Sequence, residues 1–357
     1  MATTHRLQAS YLHSITRRIF TAAGSPRHIA DDVAEILVKA NLTGHDSHGV
    51  LRIPAYLRGI EGGRMNPAAE PQVIEEDANT VLFDGMDGFG HYAAQRAMEL
   101  AIEKAHQSGV CAVSLVRTGH IGRLGEYAEA AAHAGCIGII TVGSGGRGRG
   151  ATVPFGGAQG ALGTNPIAVG VPTGNEAPFI MDIATSMVAE GKLQVARSKG
   201  EDLPEGYIID KNGVPSVNPA DFYDGGNLLA FGKHKGYGLS LLICLLGGLS
   251  GRFDVESGSM GGLFMQVINI EAFTPLDAYQ KGVHAFLEGM RSIPPAPGFK
   301  EVLVPGDFEH RCRVQRLAEG VELPDTIYQQ ISECAEKLNV SMSADAVEAA
   351  DVERYEQ

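Results

Sequence analysis

Between Asn41 and Arg58 the chain reads NLTGHDSHGVLRIPAYLR, gathering two imidazoles, a carboxylate, two guanidinium groups and a phenol around the turn at Gly49. His48, Arg52 and Tyr56 are spaced four residues apart, so a helix would project all three from one face, with Ser47 placed to cap it. Pro54 opposes a straight helix, because it removes a hydrogen bond and crowds the preceding turn; the face is expected to bend, or the regular helix to start late. An imidazole titrates near neutrality and can take a proton from an alcohol, while a guanidinium grips a carboxylate through two parallel hydrogen bonds. The pair suits a 2-hydroxy or 2-oxo acid. Two plainer readings compete: His48 as a satisfied interior histidine with Arg52 as a surface charge, or a metal site at His45, Asp46 and His48 serving a hydrolase or lyase. Zinc sites recruit more ligands at recognisable spacings, and no cysteine pair accompanies these residues, so no metal is expected.

These groups need a scaffold, and 357 residues are enough to bury a full core and to divide into two lobes. The net charge of −13, with no basic cluster beyond short runs, argues against nucleic acid and against anionic membranes as partners. The longest apolar run, Leu239 to Leu249, is too short to cross a bilayer and is broken by Gly247 and Gly248. The first twenty residues lack the apolar region and cleavage site of a secretory signal, so a cytoplasmic location is expected. The 5 cysteines are odd in number and far apart, a pattern of reduced thiols rather than of a disulfide framework.

Helical spacing of apolar residues from Arg6 to Ala22 and from Ser25 to Asn41 predicts a hairpin, the second helix with Ser25 as cap, Pro26 at N1 and acidic groups in an early turn. Asn79 to Asp84 reads as a strand and Gly85 to Gly90 as a loop. Helices over His91 to Ser108 and Gly122 to Ala134 then alternate with apolar strands over Val110 to Val116 and Cys136 to Val142, which implies parallel strands under covering helices. Strands are expected over Pro166 to Pro172, Pro178 to Ile183, Phe264 to Phe273 and Glu301 to Val304. Helices are expected over Met187 to Ser198, Leu276 to Met290 and Pro324 to Leu338, with a long buried leucine-rich one over Lys235 to Gly251. The tail should pack back on the first hairpin, giving one discontinuous helical lobe from residues 1–75 and 305–357 and a second lobe from 76–304.

After Val142 the residues Gly143, Gly145 and Gly148 spell G-x-G-x-x-G, the dinucleotide fingerprint of the Rossmann fold. That fingerprint needs the third glycine to open a helix and an acidic residue about twenty positions on. Here the continuation, RGATVPFGG, cannot be helical, and Ile167 to Val171 is apolar. The Rossmann reading fails, leaving a glycine loop with two arginines, for which a phosphate role at Arg147 or Arg149 is the lesser alternative.

Six motifs in order, GHDSHGVLRIPAY, RTGHIGRLGEYA, PFGGAQGALGTNPIAVGVPT, FIMDIATS, LLAFGKHKGYGLSL and EVLVPGDFE, resemble the type 2 malate/L-lactate dehydrogenase family, which also includes ureidoglycolate, sulfolactate and diketogulonate oxidoreductases. The resemblance runs from about Ser10 to the tail. It implies an NAD- or NADP-dependent oxidoreductase, an α/β subunit with a mixed sheet and covering helices unrelated to the Rossmann fold, a helical lobe, and a homodimer. It implies that His48 or His120 exchanges the proton, with Ser47, Arg52 and Tyr56 around the substrate. It further implies cofactor contacts from His120, Ser144, Thr164, Asn165, Asp182, Ile183, Ala184, Lys235, Gly306 and Asp307. One departure is that SGGRGRGATV is longer than the family's short serine and proline turn, which bears on Ser144. If the strand carrying Asp182 is central, its carboxylate is buried and needs a partner, expected to be a histidine or a ribose hydroxyl. The expected activity is interconversion of a small 2-hydroxy acid and its 2-oxo acid, with hydride passing to the nicotinamide; a non-catalytic nucleotide sensor ranks last.

Overall fold

Two apolar faces at helical spacing account for the start of the fold in the computed structural model, which describes residues 4–175 and 177–356. Helix Ala9–Ala22 turns Leu12, Ile15, Ile19 and Phe20 inward against Ile29, Val33 and Leu37 of helix Arg27–Leu42. The same cluster takes in Val321 and Leu323, then Ile331 and Ala335 of helix Asp325–Lys337, so both chain ends build one helical core. A short antiparallel ladder of Thr4–Leu7 on Val321–Pro324 ties them, a strand pair with no counterpart among the expected elements. Pro26 lies at the cap rather than inside the second helix and the Ser25 hydroxyl has no partner, so the expected cap does not form, while Asp31 and Asp32 fall in the helix's second turn.

The main sheet runs Gln72–Glu76, Thr80–Asp84, Val110–Val116, Ser259–Asn269, Cys136–Gly145, Ile167–Val171 and Phe179–Ile183 in that spatial order. It is mixed, as the resemblance implies, but the expectation of parallel strands needs correction. Among the described strands of this sheet, only Thr80–Asp84 and Val110–Val116 pair in parallel. Ser259–Asn269 inserts between Val110–Val116 and Cys136–Gly145 and runs antiparallel to both. These two strands therefore do share a direction, as their helical crossover requires, without touching. The expected strand over Glu301 to Val304 has no ladder partner and is irregular.

Opposite faces of the sheet are covered by different helices, and two glycines on one strand mark them. A Cβ at Gly138 would stand 2.5 Å from the Ala131 side chain of helix Gly125–His133. One at Gly143, on the other face by alternation, would stand 2.6 Å from the Ile243 carbonyl of helix His234–Gly247. The first glycine of the apparent fingerprint thus serves helix-to-sheet contact. Helix His234–Gly247 is not the buried rod expected. Its inner side packs on the sheet, whereas Leu241, Leu242 and Leu245 are 38%, 50% and 60% exposed.

Candidate active site

The 41–58 segment folds in two steps. Short 3-10 turns over Asp46–His48 and Val50–Arg52 precede helix Ile53–Glu61, where Pro54 sits in the first turn and costs no hydrogen bond. The regular helix starts late, so His48 and Arg52 lie ahead of it and only Tyr56 is on it. Ser47 caps nothing; its hydroxyl lies 3.0 Å from His48 Nδ1. The turn is fixed by Asn41, whose side chain accepts from the Val50 amide at 2.9 Å and donates to Asp46 at 2.7 Å.

Around this turn the structure brings three histidines together. His48 and His120 stack with ring centroids 5.5 Å apart and planes at 15°. The Tyr56 hydroxyl lies 2.8 Å from His120 Nδ1 and 3.3 Å from His91 Nε2. Arg52 donates its Nε to the Ser47 carbonyl at 2.6 Å, which aims the guanidinium and leaves its terminal nitrogens for a carboxylate. Burial, then the neighbouring His120 and Arg52, lower the pKa of His48 to about 3; burial and Arg52 lower that of His120 to about 4. His120 presents over a third of its surface to the cavity, yet protein surrounds it on its other sides. Burial raises the pKa of the Tyr56 phenol, which stays protonated.

These groups form one wall of a cavity of about 2060 Å³. Of the residues expected at the site, Ser47, His48, Arg52, His120, Ser144, Thr164, Asp182, Ile183 and Ala184 line it. Tyr56 lies behind His120. Asn165 is buried beneath Ser144, accepting from its amide at 2.9 Å and donating to Ser240 at 2.8 Å. Lys235 is exposed and does not line the cavity, and Gly306 and Asp307 begin helix Asp307–Glu319, where Asp307 pairs with Arg291 at 2.6 Å. Asp182 stands on the edge strand, not a central one, and its carboxylate accepts from the Gly125 amide at 2.7 Å with Arg123 Nε at 3.8 Å. Burial raises its pKa while Arg123 and that amide oppose the rise, so its protein partner is a guanidinium and not a histidine.

The expected alternative, a metal held by His45, Asp46 and His48, fails on geometry. Asp46 is engaged by Arg316 at 2.7 and 3.1 Å, His45 turns to Glu309 at 3.4 Å, and His48 faces His120. Two site residues have no place in the sequence reading. His91 appeared there only as the first residue of an amphipathic helix, and Arg123 as part of a motif. Arg123 lines the cavity although only 3% exposed, and its Nε and Nη1 have no hydrogen-bond partner. For Arg123 the sequence offered a signal, a cation directly after Gly122 and three residues beyond His120; for His91 it offered only the preceding Gly90.

Residues 7–332 match the malate/L-lactate dehydrogenase family. The chain belongs to that family. Hydroxycarboxylate dehydrogenase B of Escherichia coli O157:H7 is 37% identical over 351 residues, covering 95% of this chain and 96% of that one. The malate dehydrogenase of Pyrococcus abyssi is 36% identical over 350 residues, covering 94% and 95%. Sulfolactate dehydrogenase from Methanocaldococcus jannaschii superposes with a TM-score of 0.87 at 32% identity, covering 95% of this chain and 98% of that one. Membership of this dehydrogenase family makes the chain an oxidoreductase. It also explains why a chain with a glycine-rich G-x-G-x-x-G lacks the Rossmann arrangement.

Proposed function

We propose that this chain is an NAD- or NADP-dependent dehydrogenase that interconverts a small 2-hydroxy acid and its 2-oxo acid. The observation that carries the reading is Arg52, aimed by the Ser47 carbonyl beside the stacked His48 and His120 on the wall of one large cavity. Its free terminal nitrogens would take the substrate carboxylate in bidentate fashion, setting the C2 oxygen against the imidazoles. With pKa values near 3 and 4, both rings are neutral at pH 7, the state in which an imidazole can accept a hydroxyl proton or donate an N–H bond.

The cavity exceeds the size usual for a small ligand, roughly 300–1000 Å³, and fits a dinucleotide together with an acid. Its donor set fits phosphate as well: Ser144, Ser259, Arg149 and Arg252 are all on its lining. When bound there, the nicotinamide supplies hydride transfer. Asp182, Ile183 and Ala184 would orient it from the edge strand, with Thr164 near the ring. Asn165 would act beneath them by holding Ser144. Lys235, Gly306 and Asp307 would reach a cofactor only after movement of the helix starts that carry them.

Residues 1–75 and 305–357 would form the substrate lobe and 76–304 the cofactor lobe. A homodimer through helix His234–Gly247 is supported by its exposed Leu241, Leu242 and Leu245, with Leu249 just beyond it. A cytoplasmic location is supported by five unbridged thiols. No described helix is long and apolar enough to cross a membrane. The test is to follow nicotinamide absorbance with NAD and with NADP across a panel of 2-oxo and 2-hydroxy acids. Turnover of at least one acid, lowered about a hundredfold or more in His48→Ala, is expected; no response to any acid ends the reading.

A further inference from the structure

His91 occupies the first turn of helix Gly90–Ser108, is 0% exposed, and is used by none of the roles assigned above. Its seat is built for it. Gly122, at φ +74°, lies so close that a Cβ there would stand 2.9 Å from His91 Nε2. A Cβ on Gly90 would stand 2.5 Å from the Gly119 carbonyl oxygen and 2.6 Å from that of His120, so the helix start is docked directly on the loop that carries His120. From this seat Nε2 reaches the Tyr56 hydroxyl at 3.3 Å, and that hydroxyl reaches His120 Nδ1 at 2.8 Å. His91 Nδ1 is buried and has no partner.

A phenol carries one proton, and this decides how the row His91, Tyr56, His120 can be filled. If Tyr56 donated to His91, the His91 proton would sit on Nδ1, a buried N–H with no acceptor, and His120 would have to donate its Nδ1–H to the phenol oxygen. Filled the other way, His91 Nε2–H donates to the phenol oxygen and the phenol donates to His120 Nδ1. The orphan at His91 Nδ1 is then a lone pair, the less rare of the two defects inside a protein. The 2.8 Å contact also suits an O–H donor better than the longer 3.3 Å one does. All members of the row stay uncharged: burial, then His120, His48 and Arg52, hold His91 well below the usual imidazole range, and burial keeps the phenol protonated.

We infer that His91, acting through Tyr56, holds His120 in the tautomer with its proton on Nε2, so that His120 donates a hydrogen bond to the substrate's C2 oxygen and exchange of the hydroxyl proton falls to His48. In the oxidising direction the substrate O–H bond breaks and its proton goes to His48 Nε2, while His48 Nδ1–H is held by the Ser47 hydroxyl 3.0 Å away. The C2 hydrogen would depart with the C–H electron pair as hydride, the acceptor chemistry that a bound nicotinamide would supply. The electron pair freed from O–H closes the carbonyl, and His120 keeps its Nε2 proton throughout. His91 is a positioning residue: it touches neither substrate nor cofactor.

The kinetic consequence rests on the dehydrogenase reading, and the tautomer does not, so the two are measured separately. In the full-length, ¹⁵N-labelled protein, long-range ¹H–¹⁵N spectra of the 12 histidines, assigned by single His→Gln variants, should show His120 protonated at Nε2 and bare at Nδ1. In His91→Leu, and independently in Tyr56→Phe should the first fail to fold, the His120 signals should move to a mixture of tautomers. His91→Gln restores an N–H donor to the phenol and should restore the wild-type pattern. On any acid that is turned over, His91→Leu should lower kcat by about tenfold or more with KM for the acid unchanged, and His91→Gln should stay within about threefold of wild type. A wild-type His120 protonated at Nδ1, or a pattern indifferent to both His91→Leu and Tyr56→Phe, overturns the inference. Absence of turnover on every acid would instead count against the proposed activity and leave the tautomer result standing.

Discussion

Among the described residues, two clusters of histidine and arginine, one buried between the chain ends and one open to the cavity, differ in what surrounds them. At the chain ends, His13 and Arg17 of the first helix meet Asp31 and Asp351. His13 lies between two acceptors, the Asp351 carboxylate 3.1 Å from Nδ1 and the Asp31 carbonyl 3.2 Å from Nε2, and Arg17 is paired bidentately with Asp351. At the cavity, His48, His120 and Arg52 have no carboxylate against them, and Arg123 has unpartnered donors. The first cluster is neutralised and dry, and it functions as a strut between helix Ala9–Ala22 and the tail. In the second, His48, His120 and Arg52 line the cavity with no anion against them, which is the condition of groups that wait for an anionic ligand, and Arg123 has Asp182 and Glu129 only at 3.8 and 3.7 Å. The His13, Asp31 and Asp351 ligand atoms lie close enough together to suggest a metal, but the Arg17 guanidinium already fills that role.

The contrast is broken most sharply by removing one group from each cluster. His48→Ala should lower kcat by about 10² to 10⁴ with the melting temperature nearly unchanged, read from steady-state kinetics and calorimetry. Asp351→Ala should do the reverse, costing about 1–3 kcal/mol in denaturant unfolding because Arg17 loses its buried bidentate partner and keeps only Asp31 and Glu348, while kcat/KM at low temperature holds. If Asp351→Ala lost activity without losing stability, the strut assignment would be wrong. Arg52→Lys keeps the charge but loses the planar fork, and should raise KM for the acid and lower kcat/KM by about 10- to 100-fold.

pH sharpens the comparison further. His48 and His13 both have lowered pKa values, so the unfolded chain binds more protons than the native one below pH 6.5, and stability falls as pH drops from there. For His48 that fall continues down to about pH 3. Asp351, also lowered, contributes stability above its unfolded value, which is lost only as pH falls below the usual carboxylate range. Unfolding titrations should thus show an imidazole phase at higher pH than the carboxylate phase. Because His48 titrates near 3, kcat/KM should stay flat on the acid side between about pH 5 and 7, whereas a solvated histidine would halve it near 6.5. The smallest effect expected is from chelation: dialysis against a chelator should change activity by less than about twofold, since Asp46 is committed to Arg316.

Much of this was legible from residues alone because it depends on local pattern. The 41–58 segment, the first hairpin and the alternation around Val110 to Val116 follow from residue type and spacing, and Pro54 alone forecast the late helix. What failed depends on distant partners. Nothing local in Ser259–Asn269 says that it will wedge between strands far ahead of it, and with that wedge the parallel pairing disappears. Nor does helical spacing reveal which side of His234–Gly247 stays uncovered. Motif resemblance placed Lys235, Gly306 and Asp307 near a cofactor, but Lys235 is exposed, Gly306 is packed against the Pro178 carbonyl and Asp307 pairs with Arg291. His91 and Arg123 were missed because a buried polar group is recognised by what it lacks, and a lack is visible only in three dimensions.

The inserted strand also sets the order in which the molecule can be made. Ser114 bonds to the Leu263 carbonyl across 149 positions, and Thr4 pairs with Pro324. On the ribosome, Val110–Val116 and Cys136–Gly145 emerge with an empty slot between them and wait for more than a hundred further residues before their edges are satisfied. High contact order of this kind slows folding and leaves sticky edges open in the meantime. Nascent chains cut short before Ser259 should accordingly aggregate or bind chaperones, whatever the quality of the finished catalyst.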